Sequence, residues 1–241
     1  MLNPKSDDAI SYAGYRFPPE VISYAVWLYF RFPLSLRMVE EMLAARGIEV
    51  TYETVRTWAL KIGQQVAKRL RARSSTFGDK WHLDEVVIAI KGKKHWLWRA
   101  VDQHGYVLDV LVQSRRDTRA AVRLMRKLLR KHSVAPRVMV TDKLRSYAAA
   151  KMKMGLKFEH RQHKGLNNRA ENSHQPTRVR EKVMRRFKSA CLLQRFLSVH
   201  DQVANQFMHS RYNCDAKKKR ELRNQAFVAW NEVTCAKMAA M

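Results

Sequence analysis

"WHLDEVVIAIKGKKHWLWRAVDQHGYVLDVLVQS", residues 81–114, is the stretch on which the fold turns. Its runs 81–90, 95–101 and 106–114 are rich in β-branched and aromatic residues. The tetrapeptides "KGKK" and "DQHG" that separate them are turn-like, so the pattern predicts a three-stranded meander. Within the first run, Asp84 shares a face with Val86, Ile88 and Ile90 on a period of two. A carboxylate on such a face is expensive unless something positive pairs with it.

Toward the C-terminus, "DTRAAVRLMRKLLRKH" (117–132) predicts an amphipathic helix with Ala121, Leu124 and Leu128 inward and Asp117 at its start. "RVMVT" (137–141) is a fourth strand, "LRSYAAAKMKM" (144–154) a short helix and "LKFEHRQ" (156–162) a fifth strand. A further helix begins at about Arg169, and Pro176 either bends it or sets its true first turn. The order β-β-β-α-β-α-β-α is that of the ribonuclease H fold, a mixed five-stranded sheet with flanking helices.

Upstream, residues 18–72 read as all-α. Ser35 is the N-cap of a helix with Val39, Met42 and Leu43 on one face, ending at Gly47. Thr51 is the N-cap of the next, whose inward stripe is Val55, Trp58, Ala59, Ile62 and Val66. Helix, glycine turn, helix is the helix-turn-helix pattern, and Tyr52, Arg56, Thr57 and Lys61 point away from the stripe, as a major-groove reader should. The chain thus divides into a DNA-binding domain (1–72), a linker (73–80), an α/β domain (81–190) and a C-terminal helical segment with tail (191–241). In that last segment Leu193, Phe196, Val199, Val203 and Phe207 are suited to packing, and the tail after "DAKKKREL" is expected to be partly mobile.

Charge narrows the partner. Of 241 residues 47 are Lys or Arg and 21 Asp or Glu, a net charge of +26 spread along the chain, which an extended polyanion would best relieve. Cys191, Cys214 and Cys235 form no CxxC pair, so neither a disulfide framework nor a zinc finger is indicated and a reducing cytoplasm fits. No signal peptide opens the chain, and "VISYAVWLYF" (21–30) is too short to span a bilayer.

If the first and fourth strands are central neighbours, Asp84 and Asp142, which ends the fourth strand, approach each other. Two carboxylates that close repel, and a divalent metal with oxygen ligands, Mg²⁺ or Mn²⁺, removes the conflict. "NNRAENSHQPTR" (167–178) supplies Glu171 as third ligand, with Asn168, Arg169 and Arg178 as DNA contacts. Each acid also has a plainer reading. Asp84 could be salt-bridged, Asp142 could cap a helix and Glu171 could be solvated. Their agreement with the strand order favours a site. Glu85 points to the opposite face, His160 and His163 belong to the rim or to phosphate contacts, and Trp96 and Trp98 to packing.

"WHLDE", "VTDKLRSY" and "HRQHKGLNNRAENSHQPTRVRE", with a helix-turn-helix in front, resemble the DDE transposases of bacterial insertion sequences, specifically the insertion sequence six family. The resemblance covers nearly the whole chain. It implies Asp84, Asp142 and Glu171 as catalytic acids holding two Mg²⁺ or Mn²⁺ ions, cleavage of DNA 3′ ends at terminal inverted repeats, strand transfer into target DNA and a cointegrate product. It also implies a homodimer or higher oligomer on double-stranded DNA. The interval from Asp142 to Glu171 is shorter than in many DDE transposases. The alternative is a helix-turn-helix regulator with a non-catalytic ribonuclease H-like domain, which would have no use for three acids.

Overall fold

The computed structural model describes residues 10–73, 77–208 and 215–235. Ser74, Ser75 and Thr76 of the expected linker, Cys214 and the last six residues of the expected tail lie outside the described residues. The described chain forms two compact units, one from residues up to 73 together with those from Val199 onward, the other from 77 to Ser198.

The second unit is built on β1 (Lys80–Ile90), β2 (Lys93–Asp102), β3 (Val107–Gln113), β4 (Val138–Thr141) and β5 (Glu159–Gln162). They form one sheet in the order β3-β2-β1-β4-β5. The first three are an antiparallel meander, and β4 and β5 add in parallel. This is the ribonuclease H-like topology. Lys91 and Gly92, with φ of 50° and 76°, supply the tight turn between β1 and β2, a conformation that costs a glycine little.

Helix α4 (Thr118–His132) starts where Asp117 accepts a hydrogen bond from the Ala120 N–H, and α5 (Arg145–Lys153) packs beside it. Together they bury Ala121, Leu124, Leu128, Tyr147 and Ala150 against Trp81, Leu83, Trp98 and Ala100 of the sheet. β5 is shorter than its sequence pattern, because Leu156 and Phe158 pack onto this core before the ladder begins. The opposite face of the sheet takes α6 (Asn168–Ser173) and α7 (Gln175–Val183), divided at His174 with Pro176 in the first turn of α7, where its missing N–H is harmless. α8 (Ala190–Gln206) lends Gln194, whose side chain accepts from Val112 N–H and donates to Val110 C=O, covering the edge of β3.

β4 has four residues against eleven in β1, so its ladder ends at Leu83↔Thr141. On that side, among the described residues, β1 meets no strand partner again until the isolated bridge from Ile90 to Phe187.

The first unit contains α1 (Pro19–Arg31), α2 (Leu36–Ala44), α3 (Tyr52–Arg73) and α9 (Ala216–Thr234). Ser35 caps α2 through Met38 N–H, and Thr51 caps α3 through Thr54 N–H. Gly47, at φ 72°, turns the chain out of α2 while Ile48 N–H bonds back to Leu43 C=O. Val39 and Leu43 are fully buried, but Met42 is 39% exposed; the inward stripe of this short helix is narrower than its apolar residues imply. Where a mobile tail is expected there is α9, capped by Asp215, with Ala226, Trp230 and Val233 inward. Phe207 and Phe227 meet at 5.1 Å and Trp27 lies 5.3 Å from Phe227, so the C-terminal residues share a core with the N-terminal helices. Among the described residues no helix is long and apolar enough to cross a membrane.

Candidate active site

Asp84 and Asp142 meet because β1 and β4 are parallel and in register. The last pair of the ladder is Leu83↔Thr141, so the next residue on each strand is a carboxylate. Asp142 Oδ1 accepts from Leu144 N–H at 2.9 Å, a turn bond two residues along the chain. The N-cap of α5 is Leu144 itself, so Asp142 does not cap that helix. Its Oδ2 is left facing Arg116, at 3.7 Å.

Glu171 is brought over the strand ends by two anchors. The buried Asn167 amide donates to Leu83 C=O at 2.9 Å, tying the start of α6 to β1 beside Asp84. Arg99, the partner of Asp84 across the β1–β2 ladder, is 1% exposed and donates to Ser173 C=O at 2.9 Å and to Thr177 Oγ1 at 2.8 Å. These fix the end of α6 and the start of α7. Asp84, Asp142 and Glu171 then line one cleft of about 830 Å³, with Glu85, Arg116, Lys143, Arg145, Asn167, His174 and Arg178.

His174 Nε2 lies 3.3 Å from Asp84 Oδ2, and burial holds this imidazole below its ordinary pKa although Asp84 pulls the other way. Glu85, on the opposite face of β1, is pushed up to about 7 by burial, against the pull of its hydrogen bonds from Tyr147 and Arg116. Its Oε2 accepts from Tyr147 O–H and its Oε1 from Arg116 Nε, each at 2.7 Å. The Arg116 guanidinium also lies 5.0 Å over the Trp96 ring.

The donor set suits a hard divalent cation. Asp84, Asp142 and Glu171 join Glu85 in the lining of the cleft without a thiol among them, and Asn167 Oδ1 is buried there with no hydrogen-bond partner. Among the described residues no three His, Cys, Asp or Glu side chains already stand as a metal cage.

A profile of the DDE domain of IS240-type transposases matches residues 78–210. The transposase for insertion sequence element IS257 in transposon Tn4003 of Staphylococcus aureus is 32% identical over 178 residues, covering 71% of this chain and 79% of that protein. This chain belongs to the DDE transposases of the insertion sequence six family. The transposase for insertion sequence-like element IS431mec of S. aureus strain N315 matches to the same extent and identity. The transposase is accordingly a polynucleotidyl transferase. In structure it is similar to the HTLV-2 integrase catalytic core domain in complex with magnesium, at 13% identity and a TM-score of 0.40, over 62% of this chain and 99% of that one.

Of the residues singled out from the sequence, Asp84, Asp142, Glu171 and Arg178 line the transposase cleft. Asn168 and Arg169 are exposed but are not among its lining residues; a guanidinium nitrogen of Arg169 approaches the turn at Gly105. His160 bonds Thr141 Oγ1 at 2.9 Å from β5, on the far side of β4, and neither it nor His163 lines the cleft. Trp98 is fully buried, and Trp96 packs against the same core. Tyr52, Arg56, Thr57 and Lys61 lie exposed on α3 in the other unit, with Arg56 paired to Glu53 at 2.8 Å. Sequence reasoning misses Arg116 and Tyr147 as partners of Glu85. The only local signal is the place of Arg116 in the basic run just before the α4 cap.

Proposed function

We propose that the transposase binds the terminal inverted repeats of its element, frees their 3′ ends and joins them to target DNA, giving a cointegrate. The α2–α3 pair would act as the helix-turn-helix, with Tyr52, Arg56, Thr57 and Lys61 toward the groove. The observation that carries the reading is the β1–β4 register, which ends where Asp84 and Asp142 begin, under an α6 pinned so that Glu171 faces the same cleft.

Asp84, Asp142 and Glu171 would hold Mg²⁺ or Mn²⁺, as two ions. When bound, the metal supplies activation of the attacking oxygen and charge stabilisation of the leaving one. Arg178, Lys143 and Arg145 at the cleft would hold the phosphates that flank the scissile bond, together with Asn168 and Arg169 outside it. In the first displacement a water oxygen bonds to phosphorus and the element's 3′ oxygen leaves. In the second that 3′-OH bonds to a target phosphorus and the target's own 3′ oxygen leaves. Phosphodiester bonds are conserved in the second step, so no external energy source enters. The working form is a homodimer or larger on DNA in the bacterial cytoplasm.

The test is a labelled duplex carrying an element end, incubated with the protein and Mg²⁺. A 3′-end nick and a joined strand are expected, and both should vanish with a chelator. A protein that binds the end but neither nicks nor joins under any divalent cation would sink the enzymatic reading and favour a regulator.

A further inference from the structure

Helix α7 starts at the cleft and stops in an unusual way. Arg178, which lines the cleft, is followed one turn later by the exposed Lys182. After Met184 the next two residues, Arg185 and Arg186, both occupy the left-handed region, at φ 50° and 70°. Glycine adopts that conformation freely, whereas a side chain is strained there by contact between Cβ and the backbone, and successive non-glycine residues in it are rare. Nothing in the turn's own bonding asks for arginine. Arg185 N–H donates to Lys182 C=O at 3.0 Å and Arg186 N–H to Glu181 C=O at 2.8 Å, bonds that any residue could make. Beyond them the turn is held by Phe187, which is buried, bridges to Ile90 of β1 and packs 6.2 Å from the Phe196 ring.

The turn is therefore fixed from both sides, and both of its side chains are exposed. Glu181 stands within electrostatic reach of both Arg178 on the helix and Arg186 in the turn beyond it. From Arg178 to Met184 the helix rises roughly 9 Å at about 1.5 Å per residue. That is about three base pairs of duplex at 3.4 Å each. Strain retained where glycine would relieve it points to a role for the side chain. On an exposed turn what arginine adds is charge and a fork of donors that fits phosphate.

We propose that the Arg185–Arg186 turn is a phosphate clamp, a DNA contact of the catalytic unit that grips the duplex backbone about three base pairs from the bond in the cleft. This rests on the reading that DNA occupies the cleft. The full chain is titrated with a random-sequence duplex of about 30 base pairs over a salt series, and its melting temperature is measured in parallel. Replacing the pair by R185G and R186G should leave melting unchanged or raised, since strain is relieved. The slope of log K against log salt should fall by about 0.9 for each phosphate that the two arginines neutralise in the wild-type protein. The pair R185K and R186K, which keeps charge and strain, should keep the slope.

Should the glycine pair melt lower, R185N and R186N, which also tolerate the left-handed region, carry the same slope comparison. A glycine or asparagine pair with the wild-type slope and affinity overturns the clamp and leaves the reading of the cleft intact. A wild-type protein that does not bind the duplex overturns both.

Discussion

Replacing Arg99 by Met keeps much of the side chain's volume and removes its five donors. Arg99 sits opposite Asp84 on β2 and is 1% exposed; its bonds to Ser173 C=O and Thr177 Oγ1 join the sheet to α6 and α7. Each acceptor stranded by the change costs about 1–3 kcal/mol. Thr177 can turn its hydroxyl, so a net loss of about 2–5 kcal/mol is expected. At about 2–4 °C per kcal/mol for a chain of this size, melting should fall by roughly 4–20 °C. The functional effect is separate from stability. α6 carries Glu171, and with its C-terminal anchor gone the carboxylate should drift by about an ångström, enough to cost about 10²-fold in rate. Circular-dichroism melting and a nicking assay run at about 20 °C, well below the variant's transition, read the two effects apart. An Arg99→Met protein that melts normally, or one that is destabilised but nicks at the wild-type rate while folded, would refute the claim that this arginine places Glu171.

Other outcomes follow from the same geometry. Asp142→Asn retains an oxygen for Leu144 N–H, so melting should stay within about 1 kcal/mol of wild type, while nicking is abolished; combining it with Asp84→Asn should be no worse, which a single-turnover assay can check. Burial holds His132 below its ordinary pKa of 6.5, so the folded protein keeps it neutral while the unfolded chain takes up a proton near that pH. Its share of stability is therefore present above pH 6.5 and lost as pH falls below it, and His132→Gln should flatten that part of a urea-melt series between about pH 7 and 5. Arg56→Ala should weaken binding to element ends by about 1–3 kcal/mol if it reads guanine, and its exposed pairing to Glu53 offers little resistance; equal losses on random DNA in an anisotropy titration would demote it to a phosphate contact.

Much of this arrangement is legible along the chain, because its signals are local. Alternation and turn residues give the meander, Ser35, Thr51 and Asp117 mark helix starts, and the cost of a carboxylate on an apolar strand face marks Asp84. What is not legible depends on residues far apart in sequence. Glu85 reads correctly as lying on the face opposite Asp84, but the buried seat that Tyr147 and Arg116, 62 and 31 residues away, make for it there does not show in the sequence. The hold of Arg99 on α6 spans 74 residues. α9 is hidden for another reason. Its opening is so cationic that charge masks the spacing of Ala226, Trp230 and Val233, which only a core donated by other helices makes worth burying.

The unequal lengths of β1 and β4 turn the cleft into a gap in a sheet, and a gap of that kind has a ruler. Its near edge is wherever the shorter strand stops. One residue added within β4 would swing Asp142 to the other face, since side chains alternate along a strand. Two would restore its face but carry it about 6.6 Å along β1, past Asp84 and toward Val86. Insertions in the segment between α5 and β5 shift neither carboxylate along β1 and should be absorbed there. Tolerance to length change should thus be lost within β4, from Val138 to Thr141, and regained beyond α5, a boundary drawn by strand geometry rather than by which side chains perform the chemistry.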